Sequence, residues 1–494
     1  MPPDRPPRSI ADRRIACLIL IAAMVAACGT TPGFTILPGQ LPSPAASAST
    51  APAASPAASG GTSASPGGSA APSASPGGSP GPSGSPAASG KSYTFVKKEA
   101  CPESRFECIT LAVPRDHTSA GGPTWDLTFG IQRASGTKLG TFVTVTGGPG
   151  YSGLASAESY TDAFDPTIPE HYDVVFFDQR GIGLSHPIQC PSATAVYYAD
   201  TSDPAEPTER EAVATAARTY VDACMKESKA DPADLPYYAT TQATEDLEAF
   251  RDYLGADQLM LYGESYGTQF AQTYAAAHPE RIKALLLDGP VDLVPDAIAY
   301  YTEGARAFDD VLHDTLQACR ATAACRADIQ GGDPLAAYDA LATKLDAAPL
   351  SYRFPTAKGT FVERQLTLTD LQNLAYAYTY GPDDRSQFLR DLAAATHGDY
   401  VPMARAAYDS IVVDPETLEA IPDPTYSDAM YYATECQDYA FYLGAGSPEA
   451  RLNAWLDAGE KLGINKLRLG ATFYGDIPCV FWPAQPKADA RPKP

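Results

Sequence analysis

The chain has 494 residues, 36 basic against 59 acidic, and a formal net charge of −23. So acidic a balance excludes nucleic acid as a partner, because phosphates need a cationic face, and it gives no electrostatic pull towards anionic lipid. Apolar residues at 44% and aromatics at 10% exclude a wholly disordered chain.

Residues 1–14 carry Arg5, Arg8, Arg13 and Arg14, and residues 15–27 form the apolar run IACLILIAAMVAA. A membrane-spanning helix needs about 20 apolar residues, so this run suits a signal peptide (1–27) rather than a permanent span. It ends in Val25-Ala26-Ala27-Cys28-Gly29, which resembles the lipobox of bacterial lipoproteins. That resemblance implies cleavage before Cys28 and lipid attachment to its thiol. An ordinary secretory signal is the alternative. Acyl chains at about 0.8 kcal/mol per buried methylene would hold the chain on a membrane. From position 42 to 90 every residue is Ala, Ser, Pro, Gly or Thr, with SASPGGS at 63–69 and again at 73–79. No side chain there can repay its ordering entropy, so 28–90 reads as a disordered tether, with a reach of about 40 Å.

Folded sequence begins at Lys91. The β-rich runs RFECITLAV (105–113), WDLTFGIQR (125–133) and TFVTVT (141–146) come first. YDVVFFD (172–178) is a continuous apolar run ending in a carboxylate, as expected of a strand buried on both faces. Helical patterns at 207–226 and 241–254 precede QLMLYG (258–263), a further helix through Ala277, and RIKALLLDG (281–289). Strands alternating with helices predict an α/β unit over 91–294, its mostly parallel sheet covered on both faces. Beyond it the strand signal fades, and Ala-, Tyr- and Asp-rich helical segments predict a helical cap over 295–470. Residues 471–494 read as the start of a return to the core.

Cys17 lies in the signal and Cys28 is the lipid candidate, leaving eight of the ten cysteines. An even count in an exported chain predicts disulfides. Short separations favour Cys101–Cys108 and Cys319–Cys325, with Cys190–Cys224 and Cys436–Cys479 as the economical remainder. No CxxC pair or close His/Cys cluster occurs, so no metal site is expected.

Gly263-Glu264-Ser265-Tyr266-Gly267 matches G-x-S-x-G. The pattern is weak alone, and Gly77-Gly78-Ser79-Pro80-Gly81 in the tether matches it too. Context separates them: Ser265 lies between a buried strand and a helix, as a nucleophile elbow requires. Thr146-Gly147-Gly148-Pro149-Gly150 follows another strand. Acyl transfer needs two N–H groups aimed at the tetrahedral oxyanion, and Tyr266 and Gly148 are the candidates. Asp178 and Arg180, in DQRGIGLS (178–185), are expected to brace that glycine loop.

In order and spacing, GGPGYSG (147–153), DQRGIGLSHPIQC (178–190) and YGESYGTQFAQTYAAAHPERIKALLLDG (262–289) resemble the proline iminopeptidase and tripeptidyl aminopeptidase family of α/β-hydrolase serine exopeptidases, as do Cys436-Gln437-Asp438 and Cys479-Val480-Phe481-Trp482-Pro483. The likeness covers about 106–483 and is weakest in the cap. Thr146 stands where iminopeptidases proper often have histidine, which favours the tripeptidyl branch. It implies a fold with a helical cap, peptide substrates and no cofactor. Cap acids then suit a substrate α-ammonium group, with Glu435 and Asp438 as possible contacts.

A serine hydrolase also needs a histidine base and an orienting carboxylate, following the serine in the chain. In this family both follow the cap, on loops after the last two core strands, and the sequence ends at Pro494 before either. Of the later histidines, His278 falls about 20 Å along the helix from Ser265, and His313 and His397 fall in the cap. Asp288 is an acid candidate without a base. The reading is therefore a membrane-anchored, extracytoplasmic aminopeptidase-type serine hydrolase lacking its C-terminal core strands and close to inactive as it stands. Without those strands, the run at 282–287 becomes an open, aggregation-prone edge. The alternatives are an esterase or amidase of the same fold, and a catalytically dead binding lipoprotein.

Overall fold

The computed structural model describes residues 92–119 and 121–486. The expected signal peptide, Cys28 and the tether lie outside them. Seven strands form the main sheet: β1 (Thr94–Ala100), β2 (Glu107–Pro114), β3 (Thr124–Gln132), β4 (Gly140–Val145), β5 (Tyr172–Phe177), β6 (Leu259–Glu264) and β7 (Ile282–Asp288). Their order is β1-β2-β3-β5-β4-β6-β7. The pairs β5–β4, β4–β6 and β6–β7 are parallel, whereas β1–β2, β2–β3 and β3–β5 are antiparallel. Five strands, β2 and β4 to β7, therefore run in one direction.

β5 shows why this sheet is a core. Its side chains alternate between faces: Val175 and Phe177 enter the largest apolar cluster, with Phe250, Phe270 and Tyr274 from covering helices. Val174 and Phe176 enter a smaller cluster with Phe106 and Ala157. Both faces are dry, so a continuous apolar run fits where an alternating one would not. β7 is the outer strand, with Leu285 and Leu286 exposed; no further strand joins it among the described residues.

The helix Ala297–Ala321 leaves the core. At about 1.5 Å per residue it is nearly 40 Å long, and it bridges two apolar clusters. Ala297 and Ala305 pack in the first, Leu312, Leu316 and Cys319 in a second, which takes side chains from 312 to 407 together with Leu469. This second layer is not purely helical: β8 (Leu350–Pro355) and β9 (Phe361–Leu366) form an antiparallel ribbon. From Ala429 onward most buried side chains, including Tyr432, Trp455 and Trp482, pack in the first cluster. The disulfides are Cys101–Cys108, Cys190–Cys224, Cys319–Cys325 and Cys436–Cys479.

Candidate active site

In parallel sheets of this kind, ligands bind at the carboxyl ends of the strands. β6 ends at Glu264 and the helix Tyr266–Ala277 starts one residue later, leaving Ser265 alone to make the turn. Its backbone is at φ 53°, ψ −122°, a region that a non-glycine residue occupies only when its surroundings hold it there. Those surroundings are identifiable. The Ser265 N–H donates to the Asp288 carbonyl on β7 (2.9 Å), and the Ser265 carbonyl accepts from the Thr268 N–H (2.8 Å) and hydroxyl (2.6 Å). The two glycines are dictated by space. A β-carbon at Gly263 would stand 2.3 Å from the Gly267 carbonyl oxygen, and one at Gly267 would stand 2.1 Å from that of Val145. The helix start is thus pressed against the end of β4.

That contact sets the elbow against the loop that leaves β4. A β-carbon built on Gly147 would be 3.2 Å from Ser265 Cβ and 3.6 Å from its Oγ. The Ser265 side chain is solvent-exposed and lies over this loop. Gly148 follows at φ +113° and Gly150 at φ +104°, values that side chains other than glycine's tolerate poorly. Tyr266 supplies the first helical N–H after the serine. Its ring is buried, and its hydroxyl meets Thr240 Oγ1 (2.5 Å) and donates to Gln179 Oε1 (3.2 Å); burial holds its pKa well above the usual phenol range.

Asp178 and Arg180 part company. Buried Asp178 accepts from Ser152 Oγ (2.5 Å) and the Leu154 N–H (3.1 Å) on the glycine-loop side, and from the Leu184 N–H (2.8 Å) on the other. Burial pushes its pKa up against these hydrogen bonds. Arg180 does not brace that loop. Its guanidinium makes a two-pronged pair with Asp246 (2.7 and 2.6 Å) and donates to the carbonyls of Pro114, Arg115 and Tyr237. It ties the end of β2 to the helix Thr240–Leu254.

Asp438 is buried and accepts from the Thr240 N–H (3.0 Å), Thr240 Oγ1 (2.5 Å) and Gln269 Nε2 (2.8 Å). It fastens the helix Asp428–Asp438 to the helix that carries Ser265. Glu435, one turn earlier, is also buried; its Oε2 accepts from the Tyr301 hydroxyl (3.2 Å), which also meets Asp476 Oδ2. Burial raises the Asp476 carboxyl to about 6. Neither Tyr301 nor Asp476 carried any sequence signal.

All six histidines are described, and none is paired with Ser265. His117 pairs with Asp246 and His278 with Glu245; His171 and His397 meet backbone carbonyls; His186 stacks on Trp125 and His313 meets Gln317. Asp288 spends its carbonyl on the elbow, and its carboxylate accepts from the Tyr262 hydroxyl (2.9 Å). Among the described residues no group of three or more His, Cys, Asp or Glu side chains is arranged to hold a metal ion.

The family of the alpha/beta hydrolase fold matches residues 140–420. Serine protease Hip1 of Mycobacterium tuberculosis (strain ATCC 25618 / H37Rv) is 31% identical over 242 residues, 48% of this chain and 46% of that protein. Tripeptidyl aminopeptidase of Streptomyces lividans is 30% identical over 203 residues, 39% and 37% of the two chains. Carboxylesterase B of Mycobacterium tuberculosis (strain CDC 1551 / Oshkosh) is 27% identical over 249 residues, 49% and 47%. The matched part spans about half or less of each relative's length. With more than half of its residues matched and a strained serine turn between β6 and its helix, the chain belongs to the alpha/beta hydrolase fold family.

Proposed function

We propose that the chain carries the nucleophile of an extracytoplasmic serine hydrolase of the aminopeptidase type, anchored to the membrane through lipid on Cys28. Ser265 Oγ attacks the substrate carbonyl carbon, and the resulting oxyanion is held by the N–H groups of Gly148 and Tyr266. Collapse breaks the C–N bond; the departing nitrogen takes up a proton in exchange for the one Ser265 gave up on attack, so the amine leaves neutral and an acyl-enzyme remains for water to hydrolyse. The observation that carries this reading is the Ser265 backbone, held in a costly conformation that sets its hydroxyl over Gly147. Glu435 and Asp438 are the proposed contacts of a peptide α-ammonium group; both are buried, and Asp438 also ties its helix to that of Tyr266 through Gln269. Serine protease Hip1 and tripeptidyl aminopeptidase among the relatives support a peptide substrate. Four disulfides suit an oxidising compartment. No helix among the described residues is long and apolar enough to cross a membrane.

The proton leaving Ser265 has no histidine acceptor among the six, so turnover by this chain alone should be near background. Boronic acids test the nucleophile without that requirement, because boron takes a serine oxygen into a tetrahedral adduct and the proton passes to water. A tripeptidyl boronate with a free amine is expected to give a tetrahedral 11B signal that Ser265→Ala removes, and to bind at least about tenfold tighter than its N-acetyl form. Equal binding of the two would favour the second reading, an esterase or amidase, which the carboxylesterase B relative supports. Absence of a Ser265-dependent adduct would favour a binding lipoprotein. Appreciable hydrolysis of a peptide p-nitroanilide, abolished by Ser265→Ala, would show that the chain does supply a base.

A further inference from the structure

The glycine loop after β4 is gripped from two sides. On the core side Asp178 holds Ser152 Oγ and the Leu154 N–H. On the other side the chain returns at Thr425, Tyr426 and Ser427 and pairs with it as an isolated antiparallel bridge, Tyr151 opposite Tyr426. The Ser152 N–H donates to the Thr425 carbonyl (2.8 Å), and the Ser427 N–H donates to the Gly150 carbonyl (3.0 Å). The rings of Tyr151 and Tyr426 lie 4.6 Å apart. The approach is close enough that a β-carbon on Gly150 would meet the Ser427 carbonyl oxygen at 2.6 Å. The returning segment is itself fixed, since Gln189 Nε2 donates to the Tyr426 carbonyl (3.0 Å) and Ser427 Oγ donates to that of Ile188.

This segment also begins a helix. Ser427 Oγ accepts from the Met430 N–H (3.1 Å) as the cap of the helix Asp428–Asp438. At the far end, Asp438 is bonded to Thr240 and Gln269, and Gln269 lies one turn beyond Ser265 on the helix whose first N–H belongs to Tyr266. One rigid rod, 11 residues and about 16 Å long, therefore connects the loop of Gly148 to the helix of Tyr266. These two groups must stand at fixed separation if both are to reach one oxyanion, and donors preset in this way need no rearrangement when charge develops.

We propose that Tyr426 is a positioning residue. Together with Thr425 and Ser427 it forms a strap that, through the helix Asp428–Asp438, sets the glycine loop at the correct distance from the nucleophile elbow. The proposal rests on the reading that Gly148 and Tyr266 bind the oxyanion. It gives the segment between cap and core a direct effect on transition-state binding.

The test uses the same free-amine peptidyl boronate, titrated into the 494-residue chain and followed by 11B NMR. Tyr426→Ala is expected to raise the dissociation constant of the tetrahedral adduct about tenfold, with far- and near-UV circular dichroism unchanged. Tyr426→Phe, which keeps the ring contact with Tyr151, is expected to bind within about twofold of wild type. Gly150→Ala should weaken binding as Tyr426→Ala does; should that variant not fold, the two Tyr426 variants decide alone. Wild-type affinity in Tyr426→Ala, or equal losses in Tyr426→Ala and Tyr426→Phe, would overturn the strap alone. A wild-type chain with no Ser265-dependent adduct would overturn the acyl-transfer reading and the strap with it.

Discussion

Gly263 and Gly267 are not interchangeable with alanine, because each faces a carbonyl oxygen closer than any β-carbon can stand. For Gly267→Ala the obstacle is the Val145 backbone on β4, which cannot swing aside as a side chain would. We expect a loss of about 3 kcal/mol or more by urea unfolding, at the upper end for single substitutions. The buried Arg180 is a second sensitive point. Asp246→Ala strands its guanidinium in a dry site and should cost about 3–5 kcal/mol, whereas a loss under about 1 kcal/mol would show that water or another group replaces the carboxylate. The serine turn was legible in sequence because its requirements are local: two glycines, a buried strand before, a helix after. The Arg180 partner was not, since Asp246 lies 66 residues away and nothing in either segment marks the pairing. The role of Asp178 is legible because it sits at a strand end, where the chain must turn beside the glycine loop.

Among the elements, the central strands are evident from their apolar runs, but β1 is not. All seven of its residues are exposed and two are lysines, so it lacks the one-sided burial that makes a strand visible. The β8–β9 ribbon is hidden for a related reason: its exposed positions include Arg, Glu and Gln, which read as helix formers. The four disulfides follow the economical pairing by separation. Cys436–Cys479 closes a loop of 43 residues and ties the helix Asp428–Asp438 to the closing segment. Its loss as Cys436→Ala/Cys479→Ala should lower stability by about 4 kcal/mol on the chain-entropy account, read as a lower denaturation midpoint. At β7, where Leu285 and Leu286 are exposed and no further strand pairs among the described residues, the backbone is open to other chains. Light scattering should show concentration-dependent association that Leu286→Lys reduces.

For the molecule as a whole, a second, partly hairpin-built layer stands beside the sheet, and the chain from Asp428 onward returns to pack against the core. The extent of this return was not legible, because helical periodicity says that a segment has an apolar face but not which neighbour receives it. Two carboxyls in the returning chain, Asp428 and Asp476, are raised to about 6, in both cases mainly by burial. A carboxyl raised in the folded state contributes stability that is present below its unfolded pKa, near 4, and lost as pH rises through 6. Unfolding free energy should therefore fall between about pH 4 and 7, by at most about 3 kcal/mol per group and by less for half-buried Asp428. Asp476→Asn should flatten that slope.

The nucleophile and its glycine loop face one another in this account, and a crystal structure of the chain soaked with a peptidyl boronate tests that most directly. Boron bonded to Ser265 Oγ, with one boronate oxygen about 2.7–3.1 Å from the backbone nitrogens of both Gly148 and Tyr266, is the predicted result. Boron bonded elsewhere, or a boronate oxygen turned away from both nitrogens, would contradict it.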